Sequence, residues 1–322
     1  MCADLIRPTT PKRLRLGAVD VGTNTIRMVV ADVDDSHNLV TVAAGREMVR
    51  LGQGIVRTGR LSEEAMARAE ATLTRFAEEL RAHAPQAVAV AATSAVREAA
   101  NGPEFVERVR ATTGLEVAVI GGEEEARLTA LGAGAVLTGP ATDLLIVDIG
   151  GGSTEFVLVK GGVTAARVSV GMGVVTLTER FLAGDPPKPP ELYELDEALR
   201  ERMRQVRAGL GEVGTVRLVA TAGTPTTLAA VDLEMARYDP ARVNNHAMTL
   251  ARVEELYDRL VSIPAAARRE VTGVEAGREE LIVAGCAILL RVMHDYQFGA
   301  VTVSDWGLRE GLLLDLFDRM GN

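Results

Sequence analysis

Apolar and polar positions along the chain spell out one pattern twice. Near the N-terminus RLGAVDVG, TIRMVVADV and NLVTVAAG are short β-rich segments joined by tight polar turns, which predicts a three-stranded meander. Ser62 then opens a stretch in which Met66, Ala69, Leu73, Phe76 and Leu80 recur at helical spacing, so an amphipathic helix is expected. QAVAVAATS (86–94) reads as a buried strand, Pro103 as a helix start, EVAVIGG (116–122) as a strand ending in glycines, and 123–136 as a helix. After the link LTGPATD the pattern restarts. Strands are expected at 144–149, 154–160 and 163–170, then helices at about 173–183 and 191–211. The strand VRLVATAG, a helix, a run of helices from 250 to 294, the strand GAVTVSD and a last helix from about 308 complete the chain. DPPKPPE (185–191) is a loop by its prolines. The pattern predicts a duplicated α/β fold with a cleft between its halves.

The repeat extends to individual residues. Asp20 and Asp148 stand 128 residues apart, and the same offset aligns Gly22 with Gly150 and Thr25 with Ser153. Each copy runs from strand through an Asp-x-Gly turn and a hydroxyl into the next strand. In DVGTNT the glycine lets backbone N–H groups approach a ligand, and Thr23, Asn24 and Thr25 add side-chain donors. Taken alone, that turn is more readily a hairpin that merely needs glycine and asparagine. DIGGGSTE is harder to dismiss, because three consecutive glycines are entropically costly and a hairpin needs no such run. Asp148 and Glu155 are hard oxygen donors suited to Mg²⁺ that keeps some of its waters.

Composition narrows the classes. A chain of 322 residues suggests two domains. A net charge of −9 and 3% aromatic residues argue against a nucleic-acid-binding surface, so a polyanionic substrate would need a locally basic groove. Arg50, Arg97, Arg278 and Arg309 are the arginines expected to line it. Cys2 and Cys286 cannot build a disulfide framework, which points to a reducing cytoplasm. The N-terminal stretch lacks an apolar signal core, and the most apolar run, LIVAGCAILL (281–290), is too short for a bilayer and reads as a buried helix.

Three further stretches could carry chemistry. GGEEEARL (121–128) places three glutamates in a helix's first turn, where they complement the dipole. One of them could serve as a general base, kept ionised by the helix N-terminus. TAGTPTTLAA (221–230) could hold a phosphate at a helix start. In TSAVREAANG, Arg97 could reach a phosphate oxygen or sit in a surface ion pair. A P-loop lysine motif is absent, and four scattered histidines show no metal-ligand spacing.

Together, VDVGTNTIRMVV, TSAVREAAN, GGEEEARL, VDIGGGSTEFV, AGTPTTLAA and SDWGLREGLL resemble the exopolyphosphatase and guanosine pentaphosphate phosphatase family, from about Leu16 to Leu314. The resemblance implies two ribonuclease H-like domains of the actin, sugar kinase and Hsp70 superfamily. The first is expected over 1–134 with about 307–322 returning to it, the second over 135–306. It also implies roles. Glu125 is the general base, Asp148 and Glu155 bind Mg²⁺ or another divalent ion, and Thr23, Asn24, Arg97, Gly151, Gly152, Ser153 and Thr154 grip phosphate. Arg50, Arg278 and Arg309 are the candidates for a substrate channel.

The activity implied is release of orthophosphate from polyphosphate ends by in-line water attack. Hydrolysis of guanosine pentaphosphate is the alternative that the same residues could perform. A kinase of the superfamily, or a nucleotide-binding module without turnover, are the readings from other classes. A homodimer is expected from the family, without nucleic-acid or membrane partners. Many longer relatives add a helical C-terminal region that helps hold long chains; this sequence stops after the core, which leaves chain-length preference and processivity open. At 277–281, GREEL stands where relatives often carry arginine-alanine-aspartate, so Glu280 implies an altered contact there.

Overall fold

The computed structural model describes residues 13–139 and 142–321; Cys2 and most of the N-terminal stretch lie outside them. The first half contains β1 (Arg13–Val21), β2 (Thr25–Asp34), β3 (Leu39–Met48), α1 (Ile55–Thr58), α2 (Glu63–His83), β4 (Ala87–Ala92), α3 (Ser94–Glu98), α4 (Gly102–Thr113), β5 (Val117–Val119) and α5 (Gly122–Ala135). The second contains β6 (Leu144–Ile149), β7 (Thr154–Lys160), β8 (Val163–Val170), α6 (Val174–Phe181), α7 (Pro189–Leu210), β9 (Arg217–Thr221), α8 (Gly223–Asp232), α9 (Pro240–Val243) and β10 (Ala247–Thr249). It continues through α10 (Leu250–Val261), α11 (Ala265–Arg269), α12 (Ile282–Asp295) and β11 (Ala300–Val303), and α13 (Leu308–Gly321) ends the chain.

The two sheets repeat one topology. In the first the strand order is β3-β2-β1-β4-β5, with the meander antiparallel and β4 and β5 parallel to β1. In the second, β8-β7-β6-β9-β11 reproduces that order and short β10 adds an antiparallel edge. The central strands β1 and β6 are apolar on both faces, as strands covered on both sides must be. Ser62 caps α2 by accepting from the Ala65 N–H, and its apolar stripe packs under the first sheet.

Some boundaries differ from the sequence reading. The helix expected at 191 begins at Pro189, because a proline's missing N–H is no loss in a first helical turn. The short α1, α3, α9 and β10 carry too few residues for a periodic signal to register. The apolar run at 281–290 is the buried α12, as read.

Helix α13 returns to the first half and packs on β1, β2 and α5. Gly132 of α5 and Gly311 of α13 make that approach possible. A Cβ at either position would collide with main-chain atoms of the other helix or its lead-in, Gly307 and Gly311 for the first and Leu128 for the second. Helix α5 is thereby seated so that its N-terminal turn lies at the junction of the two sheets, where the cleft opens.

Candidate active site

Strands β1 and β4 of the first sheet, and β6 and β9 of the second, are parallel pairs, and open α/β sheets bind ligands beyond the carboxyl ends of such strands. A cleft of about 800 Å³ of open space lies there. Its walls come from both halves: Asp20 to Arg27 without Val21 and Ile26, Thr93-Ser94, Glu125, Asp148 to Ser153, Thr221 to Gly223, Arg278 and Gly307 to Glu310.

The two glycine turns meet within this cleft. Each is closed by the same bond, Gly22 N–H to Thr25 O at 3.2 Å and Gly150 N–H to Ser153 O at 3.1 Å. Contact between them is so close that a Cβ on Gly151 would sit 2.8 Å from Thr23 Cβ, and one on Gly152 would collide with Ser94 Oγ. That proximity accounts for the glycine run. The first turn is braced by Thr23 O and Asn24 O, which accept from Gly52 N–H and from Val49 and Arg50 N–H. The second is braced by α6, whose Val174 and Val175 N–H groups donate to Gly150 O and Gly151 O. Among the described residues, the N–H groups of Thr23, Asn24, Gly151 and Gly152 donate to no protein acceptor. Idle, convergent N–H groups of this kind are what an anionic oxygen binds.

Of the three glutamates at the start of α5, helical rotation sends one inward. Glu124 pairs with Arg127 at 2.7 Å and Glu123 with Arg167 at 3.5 Å, both near the surface. Glu125 is 8% exposed and lines the cleft. Asp148 and Glu155 are direct cross-strand partners on β6 and β7. Thr129 Oγ1 donates to Asp148 Oδ2 at 3.1 Å, and Ser169 Oγ donates to Glu155 Oε1 at 2.7 Å.

Carboxylates so crowded resist ionisation. Burial, then the Asp148 charge, pushes Glu155 up to about 8. Burial raises Asp148 too, against the Thr129 bond, and it lifts Asp20 to about 6. Glu125 is raised well above the usual carboxylate range by burial and then by Glu155 and Asp148, while Arg97 pulls it back. Desolvation and two neighbouring acids thus work against the helix N-terminus, which was expected to favour the ionised form of Glu125.

This donor set fits a divalent cation of the Mg²⁺ type. Asp148 and Glu155 offer hard oxygens with lone pairs beyond those their hydroxyl partners use, and burial raises both against the pull of Arg27 and Arg97. Among the described residues no group of three metal-binding side chains is close enough to cage an ion. Mg²⁺ needs no cage, since it is usually held by one or two carboxylates with waters and phosphate oxygens completing the shell.

The remaining expected residues separate into two groups. Thr23, Asn24, Gly151, Gly152, Ser153, Arg278 and Arg309 line the cleft with Glu125 and Asp148, and Arg309 pairs with Glu310 at 3.0 Å. Thr154, Arg97 and Arg50 do not. Thr154 is in the β7 ladder and its hydroxyl donates to Met172 O at 2.5 Å, so its side chain is spent on structure. Arg97 donates to Ile120 O at 2.8 Å and to Glu125 Oε2 at 3.2 Å, which makes it the partner of the candidate base. Arg50 lines an adjoining cavity, where it pairs with Glu280 at 3.1 Å.

Sequence reasoning singled out Asp20 without giving it a role, and it missed Arg27, Ser94, Thr129 and Ser169. The 128-residue offset could have found Arg27, for it is the counterpart of Glu155. Asp20 faces Arg27 on β1 and β2 as Asp148 faces Glu155 on β6 and β7.

Known proteins share this architecture. The profile of the Ppx/GppA phosphatase family matches residues 29–320. Exopolyphosphatase 2 of Mycobacterium tuberculosis is 34% identical over 314 residues, covering 94% of this chain and 98% of its own. A crystal structure of the Aquifex aeolicus member of the Ppx/GppA family superposes with a TM-score of 0.82 at 32% identity, covering 97% of this chain and 100% of its own. An exopolyphosphatase structure from Cytophaga hutchinsonii gives 0.88 at 27% identity over 95% and 98% of the two chains. The two halves are accordingly ribonuclease H-like domains of the actin type facing across a cleft. The fold, the opposed glycine turns and these relatives lead to one conclusion: the chain belongs to the Ppx/GppA phosphatase family.

Proposed function

We propose that the protein is an exopolyphosphatase that removes orthophosphate from the end of inorganic polyphosphate. The observation that carries this reading is the placement of Glu125. It is the only one of three consecutive glutamates to enter a cleft in which two opposed turns present idle N–H groups. The terminal phosphoryl group sits against those two turns, its oxygens taking the N–H groups and the Ser153 hydroxyl. Glu125 accepts a proton from a water as that water's oxygen attacks phosphorus, and the bridging oxygen leaves in line with the shortened chain. A divalent cation at Asp148 and Glu155 would supply charge stabilisation to the phosphoryl oxygens. With those two carboxylates neutralised, Glu125 loses two of the causes that hold its proton, while Arg97 continues to favour the ionised form.

Among the described residues no helix is long and apolar enough to cross a membrane. The cytoplasm is the location we propose, because the acidic surface and the buried, unpaired Cys286 suit a reducing compartment. A homodimer is the assembly we propose from the family, and light scattering tests it.

The test of function is phosphate release with Mg²⁺ from polyphosphates of several lengths, guanosine pentaphosphate and ATP, with Glu125→Gln beside the wild type. Release from polyphosphate that falls by about a thousandfold in the variant supports the reading. Turnover of guanosine pentaphosphate alone would transfer the activity to that substrate, and no turnover of any would refute hydrolysis.

A further inference from the structure

Helix α5 carries the candidate base in its first turn and a second buried polar residue one turn later. The face that α5 lays on the second sheet is built of alanine: Ala126 and Ala133 bury against Leu144 and Ile146 of β6, Val157 of β7 and Val219 of β9. Thr129 falls between the two alanines at helical spacing and is 1% exposed. A residue there that served only to fill space would be apolar, because a buried hydroxyl costs free energy unless it finds a partner.

The partner that Thr129 finds sets it apart. A threonine inside a helix can return its hydroxyl to the carbonyl three or four residues back. Thr74, Thr113 and Thr227 do so, donating to Glu70 O at 2.9 Å, Val109 O at 2.7 Å and Gly223 O at 2.7 Å. The Thr129 hydroxyl instead leaves its helix and crosses to the second half, where it donates to Asp148 Oδ2 at 3.1 Å. The small alanines on either side let α5 approach closely enough for so short a side chain to reach. Among the described residues Asp148 Oδ1 accepts no hydrogen bond, so the two oxygens differ: one is held and one is free. At Glu155 the second hydroxyl, that of Ser169, donates to Oε1, and Ser169 itself packs against Gly122 at the start of α5. Both hydroxyls that hold these carboxylates therefore touch the helix that presents Glu125.

We propose that Thr129 is a positioning residue for the divalent cation: its hydroxyl fixes the Asp148 carboxylate so that Oδ1 is the oxygen offered to the ion. The proposal rests on our assignment of the cation to Asp148 and Glu155. Thr129 touches neither substrate nor water in this role. It acts through Asp148, and because it shares a helix with Glu125 it keeps the base and the cation's ligand in one rigid frame. Partners of this kind, one step removed from the metal, govern affinity for it by orienting the ligand that binds.

A hydroxyl that merely satisfied a buried acid would affect folding and leave cation affinity alone, so the two roles separate on measurement. Mn²⁺, which takes the same octahedral oxygen ligands as Mg²⁺, is titrated without substrate into wild type, Thr129→Val, Thr129→Ser and Asp148→Asn. Electron paramagnetic resonance reads the free ion, and melting curves check folding. Thr129→Ala, suited to a face already built of alanine, replaces Thr129→Val where the latter does not fold. Positioning predicts Mn²⁺ binding about tenfold weaker without the hydroxyl, and restored by Thr129→Ser to within about threefold of wild type. In turnover, the Mg²⁺ concentration for half-maximal phosphate release should rise by a similar factor in Thr129→Val, with KM for polyphosphate at saturating Mg²⁺ within about twofold of wild type. Wild-type Mn²⁺ affinity in a folded variant lacking the hydroxyl overturns the role, as does a serine variant no better than valine. No binding by wild type, or equal binding by Asp148→Asn, sinks the cation assignment itself and the role of Thr129 with it.

Discussion

Replacing Glu155 by glutamine should stabilise the cation-free protein, although it removes a residue we assign to the cation. The carboxyl is 1% exposed, and burial with the neighbouring Asp148 carries it from 4.5 up to about 8. The sign follows from the direction of that shift. Below the unfolded value both states are protonated and Glu155 costs nothing. As pH rises past 4.5 the unfolded chain releases a proton that the native state keeps, and the penalty grows until about pH 8, where it levels off. Near pH 7 the gap is about 2.5 pH units at about 1.4 kcal/mol each, or roughly 3 kcal/mol. Asp148 and Glu125 carry part of the same strain, so relief in the variant should be about 2–3 kcal/mol. Glutamine retains an oxygen to accept from Ser169 and nearly the same volume, so little is lost elsewhere. Denaturant unfolding of wild type and Glu155→Gln in a chelator, at pH 5 and pH 8, measures it. A variant no more stable than wild type at pH 8, or an equal advantage at pH 5, would refute the reasoning.

Other consequences are as direct. Since burial and the neighbouring acids raise Glu125, the acid limb of kcat/KM should lie above the ordinary carboxylate range, and Arg97→Gln should move it further up; a pH–rate profile reads both. Gly152→Ala drives a Cβ into Ser94 Oγ and should cut phosphate release by at least about a hundredfold while the melting temperature falls only modestly. Gly311→Ala collides with Leu128 O between α5 and α13, and should cost about 3 kcal/mol of unfolding free energy, which chemical denaturation would register.

How far the sequence disclosed all this depends on the range of the signal. The strands β6, β7 and β8 fell at their expected bounds, because alternation and glycine turns are local and strong there. Glu125, Asp148 and the glycine turns were legible because each belongs to a contiguous motif. What stayed hidden depends on distant chain. Thr154 reads as a phosphate ligand beside Ser153, but its hydroxyl is claimed by Met172, eighteen residues on. Arg97 reads as a phosphate contact or a surface ion pair until α5 brings Glu125 to it across 28 positions. The ionisation of Glu125 could not be read from its helix, since the acids that oppose it come from two strands of the other half.

The repeat has one further consequence. Two copies of the same turn, face to face, make a scaffold with approximate twofold symmetry, and an unbranched phosphate chain reads nearly alike from either end. Such a pair would let a chain lie in the cleft in two opposite senses, with the scissile bond on the wrong side half the time. The positions where the copies disagree most are Arg27 and Glu155, opposite charges at equivalent points. That exchange removes the degeneracy. The two lobes then present unlike charge at equivalent points, Arg27 in one and Glu155 in the other, so the two senses of a linear substrate would no longer be equal.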